Sequence, residues 1–211
     1  MSVKQAIKYN YWMKKYFLTT VFFLVATLLS ARAYSQGNIA IKSNLLYGAG
    51  AFTPNLGVEV GIGNRMTLDL SGGYNWFNLD GSKNNNQKLV HWMVQPEFRY
   101  FLNERFNGHF LGVHALYSQY NIGGYELPLL FGKGSKEFRH EGNAVGGGFS
   151  YGYQLPLAKQ WKLEFNLGLG YMRMQYDQYD CANCGQLNEQ GKVKNYFGPT
   201  KAGISVIFQI Q

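Results

Sequence analysis

Four carboxylates and four cations fall on the polar side of strand-like segments: Glu59, Asp69, Glu97 and Glu164 against Lys42, Arg99, Lys162 and Lys201. Neighbouring carboxylates can do general acid–base work, and acids interleaved with bases are equally the material of a buried ion-pair network. Catalysis would need a nucleophile or a metal beside them. His91, His109, His114 and His140 have no metal-ligand spacing, and a strand would place His109 and His114 on opposite faces. No serine-centred nucleophile motif or phosphate-cradling glycine loop is present, and Gly146-Gly147-Gly148 reads as close packing or a bend within a strand. The eight charges are therefore expected to pair with one another in an interior, and no catalytic residue, metal or cofactor is assigned.

Two other groups stand out. Cys181 and Cys184 lie among Asp177, Asp180 and Asn183. In an exported chain such a pair reads first as a disulfide. A redox motif would need thioredoxin-like surroundings, and zinc would need about four ligands. The block Leu127-Pro128-Leu129-Leu130-Phe131 is apolar within the longest loop. Leu127, Leu129, Leu130 and Phe131 are read as a docking patch for a partner, or else as packing against neighbouring loops or the rim.

The elements that must position these residues are strands. In the hairpin from Asn55 to Phe77, Leu56, Val58, Val60 and Ile62 alternate with Gly57, Glu59, Gly61 and Gly63. Beyond Asn64-Arg65 the beat resumes, with Met66, Leu68, Leu70, Tyr74 and Trp76 against Thr67, Asp69, Ser71, Gly73 and Asn75. Period two means strands, and an apolar face backed by a small, polar face is the dyad repeat of a narrow barrel with lipid outside. The segment Trp161 to Tyr171 repeats it, and the last strand sets Ala202, Ile204, Val206 and Phe208 against Lys201, Gly203, Ser205 and Gln209.

Eight strands are expected. Short turns at Gly63–Arg65, Asn103–Asn107 and Pro156–Gln160 alternate with long segments at Asn78–Lys88, Asn121–Gly142 and Tyr176–Lys194, apart from a tight first loop at Thr53-Pro54-Asn55. The alternation matches short periplasmic turns and longer extracellular loops, with both termini periplasmic. A secreted barrel with its apolar face inward is the competing arrangement. Against it stand Trp76, Trp92, Trp161 and Tyr171 at the ends of the apolar faces, and the glycines crowding the polar face. The fold class is therefore an all-β, eight-stranded antiparallel up-and-down transmembrane β-barrel following a cleaved N-terminal signal peptide. An interior of that size is just filled by side chains.

Residues 1–36 read as the signal peptide and 37–211 as the barrel domain. Lys14 and Lys15 precede an apolar run from Phe17 to Leu29, followed by Ala31-Arg32-Ala33, and translation is read as starting at Met1 or Met13. The run is shorter than the roughly 18 to 20 apolar residues of a spanning helix. The full chain carries a net charge of +8, but five of its 20 basic residues and none of its 12 acidic ones lie in this leader, leaving the mature chain near +3. No basic stripe interleaved with aromatics remains, which argues against a nucleic-acid partner.

Several stretches carry a resemblance: Ile41-Lys42-Ser43-Asn44-Leu45-Leu46-Tyr47, Thr53-Pro54-Asn55-Leu56-Gly57-Val58-Glu59, and Trp92-Met93-Val94-Gln95-Pro96-Glu97-Phe98-Arg99-Tyr100. Phe106-Asn107-Gly108-His109-Phe110-Leu111-Gly112 and Asn195-Tyr196-Phe197-Gly198-Pro199-Thr200-Lys201-Ala202-Gly203 extend it. Over essentially the whole mature chain the sequence resembles the exported family of Bacteroides-type bacteria known as domain of unknown function 3575. The resemblance implies a small outer-membrane barrel, with some relatives encoded near fimbrial assembly genes and no catalytic residues to carry over; the Cys181/Cys184 pair looks like a family feature.

The expected function is a non-enzymatic outer-membrane barrel presenting extracellular loops, in a structural or docking role toward surface or fimbrial machinery. Its expected partners are outer-membrane lipid, the barrel-insertion machinery and a surface or fimbrial protein. The alternatives are a barrel enzyme acting on lipid or envelope polymer, using carboxylates with His91 or His140, and a narrow channel.

Overall fold

The computed structural model describes residues 38–76, 88–180 and 185–210. Eight antiparallel strands form one sheet: β1 Ile39–Asn44, β2 Asn55–Gly61, β3 Met66–Asn75, β4 Lys88–Phe101, β5 Gly108–Gly123, β6 Phe138–Pro156, β7 Trp161–Asp180 and β8 Gln186–Ile210. Each pairs with its successor, and β1 pairs with β8, so the sheet closes into a barrel with no strand out of sequence order. Among the described residues helix is confined to one short α-helix, α1 (Leu45–Gly50), and a 3-10 turn at Ser135–Glu137.

Alternation sets the two faces. Glu59, Thr67, Asp69, Glu97, Arg99 and Glu164 are buried inside, while their chain neighbours Leu68, Leu70, Phe98 and Phe165 are exposed on the outer face. A one-residue slip would reverse every strand, so the pattern of charge and apolar residues itself holds the register. The three short turns and the ends Ile39 and Ile210 lie at one end of the barrel.

That end is plugged by rings. Phe101, Phe106 and Phe110 are fully buried, with Phe101 centred 6.3 Å from Phe106 and 5.3 Å from Phe110. Phe106 reaches this position by adopting φ 61 in the turn between β4 and β5, a left-handed conformation that folds its ring back toward the lumen.

Two expectations about connections change. Strand pairing continues through much of the segments read as loops: β5 runs to Gly123, β6 starts at Phe138, and β7 and β8 pair as far as Asp180 with Gln186. Tyr120, Met174 and Tyr176 supply a buried apolar inner face there, and His140 and Gln178 are buried on the same side. Nor is the first connection a tight loop at Thr53-Pro54-Asn55. The Asn44 side chain accepts from the backbone N–H groups of Leu46 (3.0 Å) and Tyr47 (3.3 Å), which caps α1 and stops β1 early. Strand length consequently climbs from 6 residues in β1 to 25 in β8, and the wall is tall on one side only.

Candidate functional site

The charged residues meet because the sheet register stacks them. Glu59 pairs with Asp69, Asp69 with Glu97, and Glu97 with His114, so three acids stand side by side on adjacent strands. Like charges directly opposite repel, and they persist only with cations between them.

Arg99 supplies the first. Its Nε donates to Glu97 (2.5 Å), Nη1 to Glu59 (2.9 Å) and Glu164 (2.7 Å), and Nη2 to the second Glu164 oxygen (3.1 Å). The planar guanidinium thus bridges three carboxylates, one of them bidentately, while its carbon sits 4.4 Å from the Phe110 ring centre. Lys42 pairs closely with Asp69 and lies 3.6 Å from both Glu59 and Glu164. Lys201 donates to Glu97 at 2.9 Å.

Neutral groups take up the remaining oxygens. Thr67 donates to Glu59 (2.6 Å), Ser71 to Asp69 (2.6 Å), Gln154 to Glu59 (3.2 Å) and Glu164 (2.8 Å), Asn166 to Glu164 (2.8 Å), and Ser150 to Glu97. Lys162 stands apart from the cluster. Its amine donates to the Phe106 carbonyl and lies 5.5 Å from that ring's centre, at the plugged end. Three cations therefore face four carboxylates, a formal charge of −1.

The histidines do not converge. His91 Nε2 and the Tyr47 hydroxyl are 2.6 Å apart. His114 Nε2 lies 2.9 Å from the Thr200 hydroxyl, a nucleophile–base contact that sequence reading missed because the two are 86 residues apart. Its other nitrogen, Nδ1, is buried with no hydrogen-bond partner, so no acid orients the ring as a general base requires. His140 lies in the opposite, tall end of the barrel. Among the described residues no set of three His, Cys, Asp or Glu is arranged to hold a metal ion.

The apolar loop block divides. Phe131 turns inward, stacked on His140 at 4.1 Å and 16° and set against Tyr176 (5.3 Å) and Tyr120 (5.7 Å). Leu130 packs on the same cluster as Phe131. Leu127 is half-buried, while Pro128 and Leu129 are exposed, Leu129 by 72 %. Cys181 and Cys184 lie outside the described residues.

Gln154, Ser150 and Thr67 complete the cluster, yet none has a chemistry that singles it out. Counting by twos along β6 puts Gln154 on the inner face, but only the pairing of Gln154 with Glu164 shows which acid it serves.

These features define a class: an eight-stranded antiparallel barrel with a paired, buried charge cluster across its lumen. The chain belongs to the family of proteins of unknown function called DUF3575, whose model matches residues 18–210. No protein of curated function and no solved structure matches the chain.

Proposed function

We propose that the protein is an integral outer-membrane barrel with a non-enzymatic role, its lumen closed by side chains and its tall end presented at the cell surface. One observation carries this reading. Around the whole ring the outer face is apolar and uncharged between two aromatic levels, as in Leu68, Leu70, Val113, Phe149, Leu167 and Leu169, which are 40 to 75 % exposed. Soluble monomers rarely expose apolar patches beyond a few hundred Å².

Tyr74, Trp92, Tyr117, Tyr171 and Phe197 mark the level nearer the tall end, and Tyr100, Tyr151, Trp161 and Phe208 the level nearer the short turns. Strand β3, ten residues long, reaches from one to the other, and about 9–11 tilted residues span a bilayer. The short turns and termini then face the periplasm, and residues 1–36 serve as the export signal. Above Tyr117 and Tyr171 the strands stand clear of the membrane and carry the Leu127–Phe131 loop, whose exposed Leu129 is the contact offered to a surface or fimbrial protein.

Fractionation tests the location. Expressed in a Gram-negative host, the protein should stay with the outer membrane through carbonate and urea washes, and unboiled samples should migrate differently from boiled ones in detergent electrophoresis. Release by carbonate into the supernatant would refute the reading.

A further inference from the structure

Strand β1 is the shortest of the ring, and its early end leaves the wall incomplete. Its last partners are Ser205 of β8, opposite Asn44, and Gly57 of β2, opposite Lys42. Ser43 and Asn44 still reach the start of β2, where Asn55 Oδ1 accepts from the Asn44 N–H (2.7 Å), but β8 continues through Ala202, Thr200 and Pro199 with no strand among the described residues paired to that edge. Proline has no N–H to give a neighbour and is confined to edges and bulges within sheets. Pro199 stands on this unpaired edge, where the β7–β8 register slips between Gly168 and Leu169.

Helix α1 lies at the gap without sealing it. Its residues carry no charge and none is buried; Leu45 and Leu46 are each about half exposed. Asn44 extends the ladder only a little way, donating to the Ala202 carbonyl (3.0 Å) and accepting from Ile204 (3.3 Å).

Behind the gap is a cavity of about 340 Å³, within the range of small-ligand sites. Outer-face residues Leu46, Leu56 and Ala202 border it, and so do inner-face residues Gln95, Asn166 and Lys201. One space therefore joins the barrel's exterior to the charge cluster. Leu56 lies beside Gly72, close to Tyr74, and Ala202 beside Leu167, so the mouth sits within the apolar band. An apolar groove along Phe165, Leu167 and Ile204 begins at the same Leu46 and Ala202.

The lining selects a ligand class. Every cation of the cluster already has a carboxylate within 4 Å and the cluster is formally negative, so an anionic head is repelled. Neutral acceptors face the cavity instead: the Ser71 and Thr200 hydroxyls and Asn166 Oδ1, which is buried and has no hydrogen-bond partner. Buried acceptors favour a ligand that brings donors. An open strand edge in hydrocarbon likewise needs a polar group to meet it.

We infer that this lateral opening binds an uncharged single-chain amphiphile, its hydroxyl-bearing head in the cavity and its acyl chain outside along Phe165, Leu167 and Ile204. The inference rests on the membrane reading above.

The test uses the mature barrel in phosphatidylcholine nanodiscs with a photoreactive monoacylglycerol, beside the photoreactive fatty acid of the same chain. Crosslinks of the monoacylglycerol should concentrate on peptides bearing Leu46, Leu56 or Ala202. Ala202→Trp, which fills the mouth, should abolish them, and Asn166→Leu should weaken them about tenfold, the effect of losing roughly one buried hydrogen bond. Leu56→Trp on the opposite lip repeats the block if Ala202→Trp misfolds. Labelling spread evenly around the apolar band, equal labelling by the fatty acid, or insensitivity to both blocking variants would overturn the site while leaving the membrane reading intact. A protein that never enters nanodiscs overturns both.

Discussion

Arg99 is the residue on which the interior depends. It touches Glu59, Glu97 and Glu164 at once, and the alternative donors Lys42 and Lys201 cannot reach all three. Removing one partner from a buried ion pair leaves an uncompensated charge, at a cost of about 3–5 kcal/mol. Arg99→Gln should therefore lower stability by at least that much, read as a shift in the urea midpoint of the detergent-folded protein. Arg99→Lys should recover only part of it, because a single ammonium cannot reproduce the bidentate bond to Glu164. Equal stability of Arg99→Gln and wild type would mean that the cluster contributes nothing net. Glycine matters to the same packing: a Cβ on Gly112 would meet the Ser150 hydroxyl and stand 2.7 Å from Glu97 Oε1.

At the scale of elements, the loop between β5 and β6 is anchored to the inner face of the tall end through the Phe131–His140 stack. His140 lies well above the aromatic level of Tyr117 and Tyr171, outside the proposed membrane span. Burial pushes its pKa down to about 4, and the nearby Lys192 and Lys194 charges add to the shift. A histidine whose folded pKa is depressed below the ordinary 6.5 contributes stability that is complete above pH 6.5 and is lost as pH falls through about 4. The loop should therefore loosen between those values. Limited proteolysis at the Leu127–Phe131 segment should accelerate over that window in wild type and stay constant in His140→Phe, which keeps the stack without the titration. Cleavage that rises equally in both proteins would place the pH sensitivity elsewhere.

The whole molecule is a tube blocked at two levels and interrupted at one side. Phe101, Phe106 and Phe110 fill the short-turn end, and the Arg99 cluster crosses the lumen above them. No continuous water path should follow. In planar bilayers the protein should show no stable conductance, and Phe106→Ala combined with Phe110→Ala should still conduct poorly while the ion pairs stand. Steady wild-type channels would contradict this. The side opening does not alter the expectation, since it leads to the charge cluster and not through the plug.

Period-two alternation, together with the position of each charge within it, was sufficient to read eight strands and an inner set of Glu59, Asp69, Glu97, Arg99 and Glu164 from sequence. That information is local: each strand's faces are decided by residues two apart. What separates Lys162 from the cluster, joins Thr200 to His114 and turns Phe131 into the barrel is contact between residues distant in sequence, decided by strand register and by turns such as the one that inverts Phe106. The side opening was likewise hidden, because it follows from where β1 stops. A single Asn44 cap ended that strand, and only closure of the ring made its shortness an unpaired edge along β8.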